Sequence, residues 1–160
     1  MSDLMRPLHE EHQLLLPYIE ELRRTADDVG MIPDGELEVS IEACRMFIFD
    51  RLVPHSEIET TVMYPLVARL MGNPHSTDTM KRDHEEIMRL ADELEALSNE
   101  FHRAKKLDEE LAVSFRRVLY GLYAVVGLHF SNEEEVFLPL LSHGLTSEEA
   151  SSMFRKLEVH

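Results

Sequence analysis

The chain contains the stretch HSEIETTVMYPL at residues 55–66 and the stretch HFSNEEEVFLPL at residues 129–140. Both follow the pattern H-x-x-x-E-x-x-x-x-x-P-L. On an α-helix, residues four apart lie one turn above each other on the same face, so each stretch can direct an imidazole and a carboxylate toward one point. This is metal-ligand spacing, and the two pairs are His55 with Glu59 and His129 with Glu133.

A second repeat precedes each of these stretches. The segment EHQLL at residues 11–15 is echoed by DHEEI at residues 83–87, which places His12 and His84 at equivalent positions. The repeat predicts two αα-hairpins, each with one histidine on its first helix and a His/Glu pair on its second. Four helices of this kind form a bundle, and bundle cores build metal sites from inward-facing side chains. The fold class predicted is therefore all-α, an up-down four-helix bundle.

Loop and capping signals divide the chain into helices. Gly and Pro clusters mark the loops, and TSEE at residues 146–149 is a capping box that opens a short fifth helix. The helices are expected at about 4–28, 36–71, 77–106, 108–142 and 146–158. Bends are expected at Pro17 and near Pro54, and the equivalent Pro65 and Pro139 are expected to loosen the two helices that carry the His/Glu pairs.

Length, charge and composition limit the class of protein. With 160 residues and a net charge of −15, the chain is expected to form one domain over residues 1–160 and to bind neither nucleic acid nor an anionic membrane, which bind proteins chiefly through Lys and Arg. Cys44 is the only cysteine, so no internal disulfide can form. No apolar run approaches the ~20 residues of a membrane span, and no signal peptide is expected at the N-terminus. A cytoplasmic location is expected.

The ordered set of histidines and glutamates resembles the hemerythrin-like (HHE cation-binding) domain family over about residues 4–142. The resemblance implies a four-helix bundle around a non-haem diiron centre. It implies two iron ions with a bridging oxo or hydroxo group, bridged also by two carboxylates, with one pair of histidines on each iron. The ligands so implied are His12 and His55 on one iron, His84 and His129 on the other, and Glu59 and Glu133 as bridges.

Two features depart from the oxygen-carrying members of that family. Those proteins place a further histidine four residues before the one matching His84, where this chain has Met80. They also use a five-residue step on the fourth helix, which would select Glu134 as the ligand. The internal repeat favours Glu133 instead, because Glu59 and Glu133 lie at equal distances from their histidine and proline.

Three further residues are candidates for a supporting or alternative role. His9 lies one turn before His12, and Glu134 is expected to be solvated or to support the ligands. Tyr123 could reach the metal only if Gly121 or Gly127 permits a local distortion of its helix.

The resemblance leaves two classes of function open. In one, the centre turns over O2 or peroxide, with catalase-like activity as an example. In the other, it binds O2, NO or iron without catalysis, for storage, delivery or sensing. The partners expected are these small molecules. A metal-free bundle is disfavoured, because the polar residues of the repeated motif would be unpaired in a core.

Overall fold

The computed structural model describes residues 3–157, which contain five helices and no strand. A short 3₁₀ turn at Asp3–Met5 precedes the first helix. The helices are α1 at Arg6–Asp28, α2 at residues 34–71, α3 at Asp78–Ala104, α4 at Glu109–Gly144 and α5 at Ser147–Leu157. The predicted all-α fold is confirmed.

The helix ends lie close to those predicted from the sequence. α1 begins at Arg6 rather than near residue 4, α2 begins at Asp34 rather than near residue 36, and α4 extends to Gly144. The side chain of Asp108 caps α4 by accepting a hydrogen bond of 2.8 Å from the amide of Leu111. The predicted end of α5 at about residue 158 lies outside the described residues.

Three π-helical segments interrupt α2 and α4, at Ile48–Leu52, Glu59–Met63 and Glu133–Phe137. Each segment is followed by one residue and then a proline: Pro54, Pro65 or Pro139. Proline has no amide hydrogen, and its ring clashes with the carbonyl four residues earlier in a regular α-helix, so a wider turn relieves the clash. The sequence expectation of a local disturbance at these prolines is thus confirmed.

The prolines do not all act alike. Pro17 lies inside α1, which continues as an α-helix through it without a π-helical segment. Pro7 lies in the first turn of α1, where the missing amide hydrogen would have no partner within the helix.

The core consists of two apolar clusters. The larger cluster includes Leu22, Leu94, Phe115 and Leu119, and the smaller one includes Met63 and residues of α5. On each of the four long helices, the histidines and glutamates of the repeated motif fall between a residue of one cluster and a residue of the other. A polar layer therefore separates the two clusters.

The four long helices pack in a closed set of neighbours. α1 contacts α2 and α4, and α3 contacts the same two helices. α5 contacts the π-helical segment Glu59–Met63 of α2 and the 3₁₀ turn that precedes α1. The chain is therefore a helical bundle, while the single-domain organisation of residues 1–160 stays a prediction.

α4 is the most apolar helix. Within Glu109–Gly144 an 18-residue stretch has a mean hydropathy of 1.4, so this helix is long and apolar enough to cross a membrane by length and composition alone. The sequence expectation that no stretch approaches that limit is wrong on this measure. One such helix is weak evidence, because a buried core helix passes the same test. Phe115, Leu119 and Leu122 of α4 are fully buried in the larger cluster.

Candidate metal centre

The polar layer brings together the six residues that the resemblance implies as ligands. Their side-chain nitrogen and oxygen atoms form two groups, and within each group the atoms lie within 4.8 Å of one another. The two glutamates belong to both groups, whereas each histidine belongs to one. The first group is His12, His55, Glu59 and Glu133, and the second is His84, His129, Glu59 and Glu133.

The carboxylate of Glu59 turns one oxygen toward each histidine pair. Its Oε1 lies 2.7 Å from Nε2 of His55 and 3.6 Å from Nε2 of His12. Its Oε2 lies 3.4 Å from Nε2 of His84 and 3.8 Å from Nε2 of His129. The two oxygens of one carboxylate thus serve opposite sides of the site.

The two oxygens of Glu133 also face different histidine pairs. Its Oε2 lies 3.5 Å from Nε2 of His12, and its Oε1 lies 3.4 Å from Nε2 of His129. Both carboxylates are buried, with 1% or less of the side chain exposed. Two buried carboxylates, each facing both histidine pairs, are positioned to bridge two cations.

Several of these atoms are buried without a hydrogen bond. They are Nε2 of His12, Nε2 of His55, both oxygens of Glu59 and Oε2 of Glu133. The 2.7 Å pair between His55 and Glu59 is close but does not have hydrogen-bond geometry. An unsatisfied buried polar atom costs about 1–3 kcal/mol, so a cation bound by these nitrogen and oxygen donors would remove a large penalty.

Each of the four histidines has a hydrogen-bond partner on its other ring nitrogen. The partners lie 2.6–3.3 Å from Nδ1, and they are Glu134 for His12, Glu11 for His55, Thr60 for His84 and Asp83 for His129. An acceptor at Nδ1 holds the proton there and leaves Nε2 free to bind a metal. All four imidazoles are therefore oriented as ligands.

These partners follow the sequence repeat. Glu11 and Asp83 each precede a histidine of the first helix in a hairpin, and each bonds the histidine on the following helix. Thr60 and Glu134 each follow a ligand glutamate. The hydroxyl of Thr60 donates to the carbonyl of Ser56 at 2.9 Å, so its oxygen accepts from His84. Three histidines thus face a carboxylate, and His84 faces a neutral hydroxyl.

His9 and Glu134 form a chain of hydrogen bonds to the site. The two oxygens of Glu134 accept from His9 at 2.7 Å and from His12 at 2.6 Å. The side chain of His9 is 34% exposed, and that of His12 is 1% exposed. Glu134 therefore connects a surface histidine to a buried one, and its oxygens do not belong to either group of clustered donor atoms.

Tyr64, and not Tyr123, contacts the site. Tyr64 is not among the candidates named from the sequence, but its hydroxyl donates a 2.8 Å hydrogen bond to Oε1 of Glu133. Tyr123 instead packs on the larger apolar cluster. The local distortion that the sequence analysis required for a tyrosine does occur, but it lies in the π-helical segment Glu59–Met63 rather than at the glycines of α4.

Among residues 3–157, the remaining histidines do not contribute to the site. His75, His102 and His143 are exposed at or near helix ends. They bond Asp78, Glu38 and the carbonyl of Pro139.

Burial and mutual charge set the protonation of the metal-free site. Burial opposes protonation of His129, but the close carboxylates of Glu133 and Glu59 outweigh it and raise the pKa of His129 to about 10. The pKa values of His12 and His55 are raised against burial in the same way, with Glu59 as the main favourable partner. In the metal-free state these imidazoles hold protons that a metal would displace.

The two glutamates shift in opposite directions. Burial raises the pKa of Glu59, but the charge of His55 and the close imidazoles of His12 and His129 lower it well below its ordinary value. Burial and the nearby charge of Glu59 raise the pKa of Glu133 to about 7. Two neighbouring buried carboxylates repel each other when both are ionised, and a bound cation would offset that repulsion.

We expect the metal-free protein to lose stability as the pH rises from about 6 to about 9. For His129 the folded-state pKa of about 10 exceeds the ordinary 6.5, so its stabilisation is complete below pH 6.5 and is lost as the pH rises through 10. Glu133 contributes in the same direction. Its folded-state pKa of about 7 lies above the ordinary 4.5, so the stability that its proton contributes is lost as the pH rises through 7. Urea unfolding in chelator at several pH values measures this change.

The matched control for this pH effect is His129→Gln, which places a neutral amide at this position that cannot titrate. The variant should show a smaller loss of stability over the same pH range. A wild-type free energy of unfolding that stays constant or increases toward pH 9 would contradict the assignment of protons in the metal-free site.

A cavity of about 360 Å³ opens beside the site. Its wall is largely apolar and includes Val53, Ile87 and Met88, while its polar residues include Thr60 and His84. His84 is the most exposed of the four histidines, with 10% of its side chain accessible, against 1–5% for the others. The cavity therefore offers small molecules an approach to the His84 side of the centre.

Comparison with known proteins identifies one family. The family model described as the hemerythrin HHE cation binding domain matches residues 3–141. The match includes the six clustered residues and ends before α5. Comparisons with curated proteins and with solved structures found no match.

Proposed function

The chain belongs to the hemerythrin HHE cation-binding domain family, and from this premise we propose that it is a diiron protein that reacts with O2, peroxide or NO. The proposed ligands are the four histidines and two glutamates of the polar layer. The observation that supports this proposal most directly is that the two oxygens of each carboxylate face different histidine pairs. A single cation would not require two glutamates with oxygens turned in opposite directions.

Iron is favoured by the chemistry of the donors. The two groups offer imidazole nitrogens and carboxylate oxygens and no thiolate, and this combination suits iron among the transition metals. Cys44 is buried elsewhere, where its thiol lies 3.3 Å from Oγ1 of Thr25. Two anionic bridges would also offset the repulsion between two close cations in a poorly solvated core.

We also propose that the four long helices follow an up-down order, in which consecutive helices run in opposite directions. Along α1 and α3 the chain passes from the smaller apolar cluster through the polar layer to the larger one, and along α2 and α4 it passes in the reverse order. This alternation supports antiparallel neighbours. It would place one histidine of each pair on a helix that runs opposite to the other.

When bound, an iron pair supplies a two-electron redox couple for reaction with O2, peroxide or NO. The chain contributes the environment of that reaction. The acceptors at each Nδ1 fix the histidine rings, and the apolar clusters on both sides exclude bulk water from the carboxylates. The cavity bounded by Val53, Ile87 and Met88 admits small, weakly polar molecules to His84.

Catalase-like turnover of peroxide is the candidate activity, and non-catalytic binding of O2, NO or iron is the alternative. Access through the cavity favours turnover, because the reactant and the product must both exchange with solvent. The net charge of −15 supports small molecules rather than nucleic acid as partners, and a cytoplasmic location is proposed with them.

The test measures metal content and peroxide turnover in the same preparation. Purified protein loaded with iron should retain two iron ions per chain by elemental analysis and should evolve O2 when given peroxide. The variants His84→Ala and His102→Ala form a matched pair, since both alter a histidine of α3. We expect His84→Ala to lose iron and activity and His102→Ala, which is exposed, to keep both.

Three outcomes would change the proposal. Iron content near zero in the wild type would contradict a diiron centre, and one iron per chain would contradict bridging. Two iron ions without O2 evolution, together with a stable and reversible O2 spectrum, would move the protein to the non-catalytic class.

A further inference from the structure

The hydroxyl of Tyr64 lies at the centre of one half of the site. It is 2.8 Å from Oε1 of Glu133, 3.2 Å from Nε2 of His84 and 3.4 Å from Nε2 of His129. The two histidine nitrogens are themselves 2.9 Å apart. Tyr64 is almost completely buried, with 1% of the residue exposed.

Four side-chain atoms from three helices converge here. The Nδ1 atoms of His84 and His129 each face an acceptor, Thr60 and Asp83, so the Nε2 atoms are directed toward each other and toward Tyr64. The single phenol hydrogen of Tyr64 is given to Glu133. In the metal-free site these contacts are hydrogen bonds, and a cation bound by both nitrogens would replace them.

The distances are those of neighbouring donors around one ion. Donors that bind an octahedral ion at about 2.1 Å lie about 3 Å from each other. The triangle formed by Tyr64 Oη, His84 Nε2 and His129 Nε2 has sides of 2.9, 3.2 and 3.4 Å, so it has the size of one face of such an octahedron. Oε1 of Glu133 extends the same set.

We infer that Tyr64 is a seventh protein ligand of the centre, and that its phenolate oxygen binds the iron held by His84 and His129. This inference rests on the proposed diiron function. As the bond between oxygen and ferric iron forms, the phenol O–H bond breaks and the proton passes to solvent. No electron is transferred, because the iron is already ferric.

The local backbone brings Tyr64 to this position. In the π-helical segment Glu59–Met63, the amide of Tyr64 donates to the carbonyl of Glu59, five residues earlier. Tyr64 is therefore one wide turn beyond the ligand Glu59 and on the same side of α2. The equivalent bond in α4 runs from Leu138 to Glu133, so the repeat places leucine, which cannot bind metal, at the matching position.

Tyr64 also compensates for Met80. The oxygen-carrying relatives have a histidine at the position of Met80, and the iron on the His84 side would otherwise have fewer protein ligands. Met80 and Tyr64 are buried in the same smaller apolar cluster. A phenolate from α2 thus supplies a donor that α3 lacks.

The experiment compares wild-type protein with Tyr64→Phe and with the matched control Tyr123→Phe, all loaded with iron and oxidised to the ferric state. The wild type and the control should display a visible tyrosinate-to-iron charge-transfer band and tyrosinate ring modes in the resonance Raman spectrum. Tyr64→Phe should lose both signals while it retains iron. Ferric loading should also release an additional proton from the wild type relative to Tyr64→Phe.

The outcomes separate this inference from the proposed function. Two iron ions per chain without a tyrosinate band in the wild type would overturn the role of Tyr64 and leave the diiron centre in place. A band that survives in Tyr64→Phe would likewise overturn it. Failure of the wild type to bind iron would reject the proposed function together with this inference.

Discussion

Iron loading is expected to raise the melting temperature of the metal-free protein by roughly 8–16 °C. A ligand that binds only the folded state stabilises it by about 4 kcal/mol at a free concentration of 1,000 Kd, and each kcal/mol shifts the midpoint by about 2–4 °C for a chain of this size. The effect is large because metal binding would satisfy buried atoms of His12, His55, Glu59 and Glu133 that lack hydrogen bonds. Differential scanning calorimetry of the two forms measures the shift.

Two controls accompany this measurement. Addition of a chelator should reverse the shift, and Mg²⁺ at the same concentration should produce little of it, since imidazole nitrogens are poor ligands for that ion. The variant His102→Ala should show the wild-type shift, because His102 is an exposed histidine outside the polar layer. Coincident melting curves for metal-free and iron-loaded protein would contradict a preformed site.

The sequence predicted the fold and the six clustered residues because both depend on regular helix geometry. The spacing of His55 to Glu59 and of His129 to Glu133 identifies one helical face in each copy of the repeat, and the loops are marked by glycine and proline. Gly72 illustrates the second signal, since it ends α2 in the left-handed conformation with a φ of 65°. Features that repeat at the period of an α-helix can be read without knowledge of the packing.

Tyr64 could not be found by the same reasoning. In a regular α-helix a residue five positions after Glu59 is rotated by roughly 140° around the axis and faces away from it. The π-helical segment before Pro65 widens the turn and returns Tyr64 to the side of Glu59. The proline was the available signal, but the sequence gives no measure of whether a proline produces a bend, as expected at Pro17, or a π-helical turn.

The residues that accept hydrogen bonds from Nδ1 could have been proposed from the sequence. Glu11 precedes His12 as Asp83 precedes His84, and Glu134 follows Glu133 as Thr60 follows Glu59. What the sequence could not supply is the partner of each acid, because that depends on which helices are neighbours. Glu11 bonds His55 on α2 rather than the adjacent His12, and Asp83 bonds His129 on α4.

Replacement of either bridging glutamate is expected to abolish binding of the iron pair, whereas replacement of Glu134 is not. Glu59→Gln and Glu133→Gln keep the side-chain volume but remove a negative charge and one of two oxygen donors that face opposite histidine pairs. In the proposed centre each carboxylate would serve both ions, so loss of one bridge would affect both. Iron content by elemental analysis should therefore fall from two ions per chain toward zero in these variants.

Glu134→Gln is the matched control, since it makes the same chemical change at the adjacent residue of α4. Glu134 bonds Nδ1 of His12 and lies outside both groups of clustered donors. Loss of such a partner typically weakens metal binding by about 10–100-fold, so this variant should retain its iron at saturating concentration but release it faster to a chelator. Circular dichroism should show that all three variants keep their helices.

The same three variants decide between the two possible steps on α4. If Glu134→Gln loses its iron while Glu133→Gln retains both ions, the five-residue step of the oxygen carriers applies, and the histidine bond of Glu134 would have to break for it to bind metal. The structure favours the opposite result. Glu133 is completely buried between the two histidine pairs, whereas Glu134 is 23% exposed and already engaged by His9 and His12. The internal repeat and the packing of α4 therefore lead to the same bridging residue.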